Sequence, residues 1–120
     1  MTLSYKTDAF TKRIEVIVDG TVTDQDYYEI APELEHFIEE NAPVDILEIV
    51  RHYKMKLSPS VLWEGIKLDF RQINNIRKCA VISDISWVSP LTKAFDALSK
   101  PDMKSFKLGE EAEARRWLDQ

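Results

Sequence analysis

The stretch VDILEIV at residues 44–50 decides the fold, because its apolar side chains are nearly continuous and it directly follows Pro43. Such a run is typical of a strand, and the shorter run CAVI at 79–82 is typical of a strand that is covered on both faces. Between them, residues 60–74 carry apolar side chains at helical spacing. A strand, a helix and a second strand in segments of this length predict a right-handed crossover unit in a mainly parallel sheet.

The sheet pattern continues toward the N-terminus. In RIEVIVD at 13–19, apolar residues alternate with polar ones, which predicts a strand that ends at Gly20. Residues 3–10 alternate more weakly and predict an antiparallel partner strand, joined by a short turn near residues 8–11.

The segment 24–41 predicts an amphipathic helix, since its apolar residues recur at spacings of three and four. Thr23 or Asp24 offers a side-chain oxygen to the free amides of the first turn. Pro32 lies inside the pattern, and we expect it to kink or divide the helix because it removes an amide and clashes with the preceding turn.

The C-terminal part of the sequence predicts three more elements. A helical stripe runs through residues 88–98, a short strand lies near 104–107, and a final helix covers 109–118. No linker, repeat or charge tract divides the chain, so we expect one α/β domain over residues 1–120.

The composition excludes several classes of protein. With 120 residues, 44% hydrophobic content and three glycines, the chain can bury a core and is neither collagen-like nor disordered.

Cys79 is the single cysteine, and the N-terminus lacks the basic region and apolar run of a secretory signal, so we expect a cytoplasmic protein. No stretch approaches the roughly 20 apolar residues that span a bilayer. A net charge of −5 gives no attraction to phosphate backbones, so a nucleic-acid partner is not expected.

Five parts of the sequence have an informative order and spacing: GTVTDQDY at 20–27, APELE at 31–35, LWEG at 62–65, AVISDISW at 80–87, and EA at 111–112 with WL at 117–118. Together they resemble the bacterial SpoIIAA-like proteins, which are related in fold to the STAS domains of anti-sigma-factor antagonists and to the lipid-binding Sec14 (CRAL-TRIO) domains. The resemblance implies a sheet of four to five strands with helices packed mainly on one side. It also implies a non-enzymatic regulatory or protein-interaction module.

The resemblance implies a candidate phosphorylation site as well. In STAS antagonists, a serine at the start of the helix after the central strand is phosphorylated, and this switches partner binding. The matching segment here, 51–60, offers Ser58 and Ser60, where a phosphate would meet free amides at a helix N-terminus. The Asp-Ser pair with small glycine-rich residues that marks the switch in the family is absent. The alternative is that Ser58 is an N-cap with Pro59 at the first helical position.

A second candidate site lies at the carboxyl ends of the predicted strands, where ligands gather in parallel α/β sheets. A pocket for a small apolar ligand or lipid would be lined here by His52, Tyr53, Trp63, Asp84, Ser86 and Trp87. The alternative is that Trp63 and Trp87 close the end of a small core.

An enzyme would use Asp84, Ser86 and His52, but no catalytic constellation, metal-ligand spacing or phosphate loop is visible. We therefore expect no enzymatic activity, metal or cofactor.

Charge is distributed unevenly along the chain. Residues 24–40 contain seven acidic side chains and no Lys or Arg, whereas residues 51–78 contain seven basic side chains against two acidic ones. Such polarity favours an oriented encounter with a protein partner or with a second copy, as in a homodimer. The candidate partner surface consists of Glu33, Glu35, Glu39 and Glu40. An interaction module is thus the first hypothesis, and a carrier or sensor of a lipid or other apolar ligand is the second.

Overall fold

The computed structural model describes residues 3–56, 75–84 and 102–120, which contain one five-stranded sheet. Its elements are β1 Leu3–Asp8, β2 Arg13–Thr23, α1 Asp24–Asn41, β3 Val44–Lys56, β4 Ile76–Ser83, β5 Asp102–Phe106, a short 3-10 helix Leu108–Glu110 and α2 Glu111–Asp119. The strand order is β1-β2-β3-β4-β5, with β1 antiparallel to β2 and the other neighbours parallel. The predicted mainly parallel sheet is confirmed. The helices predicted at 60–74 and 88–98 lie outside the described residues.

The predicted hairpin between β1 and β2 is present, with pairing that runs from Leu3 opposite Val18 to Asp8 opposite Arg13. Its turn is organised by the Asp8 carboxylate, because Oδ1 accepts hydrogen bonds from the backbone amides of Phe10 at 2.9 Å and of Thr11 at 3.3 Å. A side chain that hydrogen-bonds amides two and three residues ahead gives a short turn a defined shape.

The prediction that Gly20 ends the second strand was wrong, since β2 continues to Thr23. Val18 pairs with Val50 but Gly20 pairs with Tyr53, so β3 has one more residue than β2 in this interval. This is a β-bulge whose extra residue lies in β3, and Gly20, which follows the register shift on β2, has a φ of 107°, a backbone angle that L side chains rarely adopt. Gly20 therefore lies at an irregularity within β2 and does not mark the end of that strand.

Helix α1 begins with a capping box, which confirms Thr23 as its N-cap. The Thr23 hydroxyl accepts from the Asp26 amide at 3.3 Å, and the Asp26 carboxylate accepts from the Thr23 amide at 3.0 Å. The helix continues through Pro32 as far as Asn41, so the expected division at the proline does not occur. No helix among residues 3–56, 75–84 and 102–120 is long and apolar enough to cross a membrane.

The two described α-helices cover opposite faces of the sheet. On one face, Ile30 and Ile38 of α1 pack with apolar side chains of β1, β2 and β3 such as Val18. On the other face, Ala114 and Leu118 of α2 pack with a group drawn from three strands: Leu47, Ile49, Ala80, Ile82 and Phe106. Neighbouring residues of a strand point to opposite faces, so the near-continuous apolar run at 44–50 supplies both cores.

Candidate functional site

The outer side of α1 is acidic. Its apolar residues turn toward the sheet, which leaves the glutamates at the intervening positions facing solvent. Glu29, Glu33, Glu39 and Glu40 are exposed and Glu35 is half-buried. These five residues are called the acidic face below.

Few groups compensate the charge of the acidic face. The Gln25 side-chain amide donates to Glu29 at 3.1 Å, and His36 Nε2 lies 2.8 Å from Glu40 Oε1 on the exposed surface. Within the described part of the chain, no ion pair involves Glu33 or Glu39, and the last turn of α1 contains no basic residue. Carboxylates near a helix C-terminus are unfavourable for the helix itself, because the macrodipole is negative there. Among the described residues, the charges of Glu33 and Glu39 are thus offset neither by an ion pair nor by the helix dipole.

At the carboxyl ends of the strands, the structure describes Asp84 but not its expected neighbours. The Asp84 carboxylate accepts a hydrogen bond from the Leu108 amide at 3.0 Å and so joins the end of β4 to the segment after β5. The residues Ser58, Ser60, Trp63, Ser86 and Trp87 lie outside the described residues, so the pocket and the phosphorylation site stay predictions.

His52 and Tyr53 were expected to follow a strand, and this placement was wrong. Strand β3 continues to Lys56, so both residues lie inside it. Tyr53 pairs with Gly20 directly after the β-bulge, and His52 belongs to the bulged interval. Four of the six residues 51–56 are polar, so the apolar run of 44–50 stops at Val50, although Tyr53 and Met55 do alternate with Lys54 and Lys56 as in a strand.

An ion pair between a buried carboxylate and an exposed arginine was not predicted from the sequence. Asp45 is only 4% exposed, and Arg77 donates to both of its carboxylate oxygens, from Nε at 2.9 Å and from Nη2 at 2.6 Å. The same guanidinium donates to the backbone carbonyls of Leu118 and Gln120 at the end of α2. The hydrogen bond to Asp45 raises the pKa of Arg77 although burial opposes it. Arg77 therefore joins β3, β4 and the last turn of α2.

Three further cations fix α2 to the sheet. Lys78 Nζ donates to the Trp117 carbonyl at 2.9 Å, and Arg13 pairs with Asp119 at 2.7 Å. Burial acts to lower the pKa of Arg115, but the hydrogen bonds and charges of Glu15 and Glu111 together raise it. Cations at a helix C-terminus are favourable partners for its free carbonyls. The charges near α2 thus serve its attachment, in contrast to those of the acidic face.

Metal binding and cysteine chemistry are the other candidate functions of the described residues. In residues 3–56, 75–84 and 102–120, no group of three or more His, Cys, Asp or Glu side chains could hold a metal ion. Cys79 is buried and packs with Val81, as expected of a small hydrophobic side chain.

The sheet and its helices define an α/β protein with a mainly parallel sheet and one antiparallel edge strand. The sequence profile of the SpoIIAA-like family matches residues 13–119, and the chain belongs to this family. The predicted resemblance is therefore confirmed.

A solved structure supports the fold independently. An uncharacterized protein of the DUF3478 family from Shewanella loihica PV-4, described as having a SpoIIAA-like fold, superposes with a TM-score of 0.68. The two chains share 16% sequence identity, and the match covers 97% of this chain and 91% of the other. No curated protein matches the chain. At this level of identity the likeness establishes the fold alone.

Proposed function

We propose that this protein is a non-enzymatic interaction module, and that the acidic face of α1 is the surface to which a basic partner binds. The observation that carries the proposal is the set of exposed carboxylates at Glu33, Glu39 and Glu40, on a helix without Lys or Arg. A regulatory role of this kind also fits the kinship with STAS domains.

The distribution of charge supports this proposal. The cations Arg13, Arg77 and Arg115 are engaged in ion pairs within the chain, and those of Arg13 and Arg115 attach α2 to β2. The glutamates of the acidic face do not contribute to such attachment and repel one another along the helix, where like charges at spacings of three and four are unfavourable. A basic partner surface would relieve this repulsion and would steer the encounter of the two molecules.

The proposal is tested with a charge reversal and a matched control. Partners are first cross-linked in the host, identified by mass spectrometry and purified. Binding is then measured for the unchanged protein, for Glu33→Lys and for Glu113→Lys, which reverses an exposed helix carboxylate on α2 and changes the net charge equally. A charge at the edge of an interface contributes roughly 0.5 to 1 kcal/mol, mainly through the association rate.

We therefore expect Glu33→Lys to weaken binding roughly two- to fivefold, more strongly at low ionic strength, and Glu113→Lys to have little effect. Equal effects of the two reversals would show that net charge matters and not the acidic face. A purified partner that binds Glu33→Lys as tightly as the unchanged protein at low ionic strength would contradict the proposal.

A further inference from the structure

The turn between β1 and β2 presents a large apolar side chain to solvent. Phe10 is 96% exposed, whereas phenylalanine is among the residues most often buried in proteins. The turn that carries Phe10 is held by the two hydrogen bonds to the Asp8 carboxylate. A rigid turn loses little conformational entropy when it binds, so Phe10 is suited to act as an anchor. Residues 8–12 are called the hairpin tip below.

Two exposed lysines, Lys6 and Lys12, flank Phe10 in the sequence. The Asp8 carboxylate between them accepts the two hydrogen bonds that hold the turn. A surface that receives the hairpin tip should therefore combine an exposed apolar group with nearby carboxylates.

The same chain offers such a surface on α1. Tyr28 is 50% exposed, and Pro32 is exposed one helical turn further along. Glu29 and Glu33 each follow one of these residues in sequence and are themselves exposed. Residues four apart are neighbours on a helix surface, so Tyr28 and Pro32 form an apolar ridge that is bordered by two carboxylates.

We infer that the hairpin tip of one copy binds the acidic face of a second copy, with Phe10 against the ridge and with Lys6 and Lys12 opposite Glu29 and Glu33. Because Phe10 is 96% exposed, it does not occupy the ridge of its own chain. The contact joins two different surfaces, so it is heterologous. This inference rests on the proposed function, since it uses the same acidic face and assigns a second copy as its partner.

The test uses the fact that the two surfaces of the contact differ, so that each can be altered separately. Sedimentation velocity is measured over a concentration series at low ionic strength for the unchanged protein, for Phe10→Ser on the hairpin tip and for Glu33→Lys on the acidic face. The control is Ala112→Ser, an exposed position of α2 that belongs to neither surface. Circular dichroism verifies that each variant is folded, which is expected because both Phe10 and Glu33 are exposed.

We expect the unchanged protein and Ala112→Ser to associate with rising concentration, and added salt to weaken the association. Phe10→Ser should weaken it roughly tenfold to a hundredfold, the effect of removing one buried aromatic anchor. An equimolar mixture of Phe10→Ser and Glu33→Lys should associate more tightly than either variant alone, because each variant retains the surface that is altered in the other.

A monomer at every concentration would overturn the inference, and so would a mixture that stays monomeric while the unchanged protein associates. Neither result would affect the proposed function if a purified partner protein still bound less tightly to Glu33→Lys than to Glu113→Lys. Binding to vesicles of phosphatidylglycerol is also measured, for the unchanged protein and for Phe10→Ser. Loss of vesicle binding by Phe10→Ser, with unchanged sedimentation, would assign the tip to a membrane surface and overturn the inference.

Discussion

Arg77 is the side chain on which we expect stability to depend most visibly. Its removal leaves the Asp45 carboxylate buried without its cation and removes a donor from the Leu118 carbonyl of α2, whereas the Gln120 carbonyl still accepts from Lys78. Breaking a fully buried pair costs roughly 3 to 5 kcal/mol, but the Arg77 side chain is 41% exposed, so water compensates part of the loss. For Arg77→Ala we expect the free energy of unfolding, measured with urea, to fall by about 2 kcal/mol.

Arg116→Ala provides the control for this measurement, since Arg116 is an exposed cation in the last turn of the same helix. Its removal should change the free energy of unfolding by no more than about 0.5 kcal/mol. Equal losses in the two variants would mean that Arg77 acts through the general charge near α2 and not through Asp45.

Gly20 is the second residue whose replacement is informative. Its φ of 107° lies where L side chains are strained, and it follows the β-bulge between β2 and β3. We expect Gly20→Ala to lower the free energy of unfolding by about 1 to 2 kcal/mol. Gly109→Ala is the control, because a Cβ at that position would meet no atom within 4 Å. If thermal unfolding shows Gly20→Ala to be as stable as Gly109→Ala, the bulge does not require glycine.

Sequence patterns identified Gly20 as special, but they did not reveal the ion pair between Asp45 and Arg77. Gly20 was recognised as special, but a turn and a bulge both use its positive φ, so the sequence could not separate the two. Asp45 and Arg77 are 32 residues apart, and Arg77 contacts Leu118 across a further 41 residues. Local periodicity carries no information on such long-range pairs, whereas it did place the exposed glutamates of α1.

At the scale of elements, α1 depends on its N-terminal capping box. The Thr23 hydroxyl and the Asp26 carboxylate satisfy each other's backbone amides, and both amides would otherwise be free. Thr23→Ala should therefore destabilise the protein by about 1 kcal/mol in urea denaturation. Thr23→Ser retains the hydroxyl and should restore most of this loss. Equal destabilisation by serine and alanine would point to packing of the threonine methyl group as the cause.

The elements themselves follow from periodicity where one face is apolar and the other polar. The alternation in 13–19 and the helical stripe in 24–41 both predicted elements that the structure contains. Strand β3 was predicted too short because its last six residues, RHYKMK, are largely polar. These residues pair in register with β2 as far as Lys56 opposite Thr23, so the partner strand and not local hydrophobicity determines where β3 ends.

At the scale of the whole molecule, the two functional hypotheses differ in what the purified protein carries. An interaction module should show the mass of the chain alone in native mass spectrometry, with no copurified small molecule. Tryptophan fluorescence should also be unchanged when fatty acids are added. A retained lipid mass, or a saturable fluorescence response, would favour the carrier hypothesis and its pocket over the interaction module.

The order of the strands also bears on how the molecule is made. Each strand pairs with the one before it in the chain, so the sheet can grow strand by strand as the polypeptide leaves the ribosome. Helix α2 follows all five strands, yet it covers Leu47, Ala80 and Ile82 on the second face. The cover that Ala114 and Leu118 give to these side chains is therefore made only after all five strands. We expect a nascent chain at that stage to expose apolar surface and to be prone to aggregate.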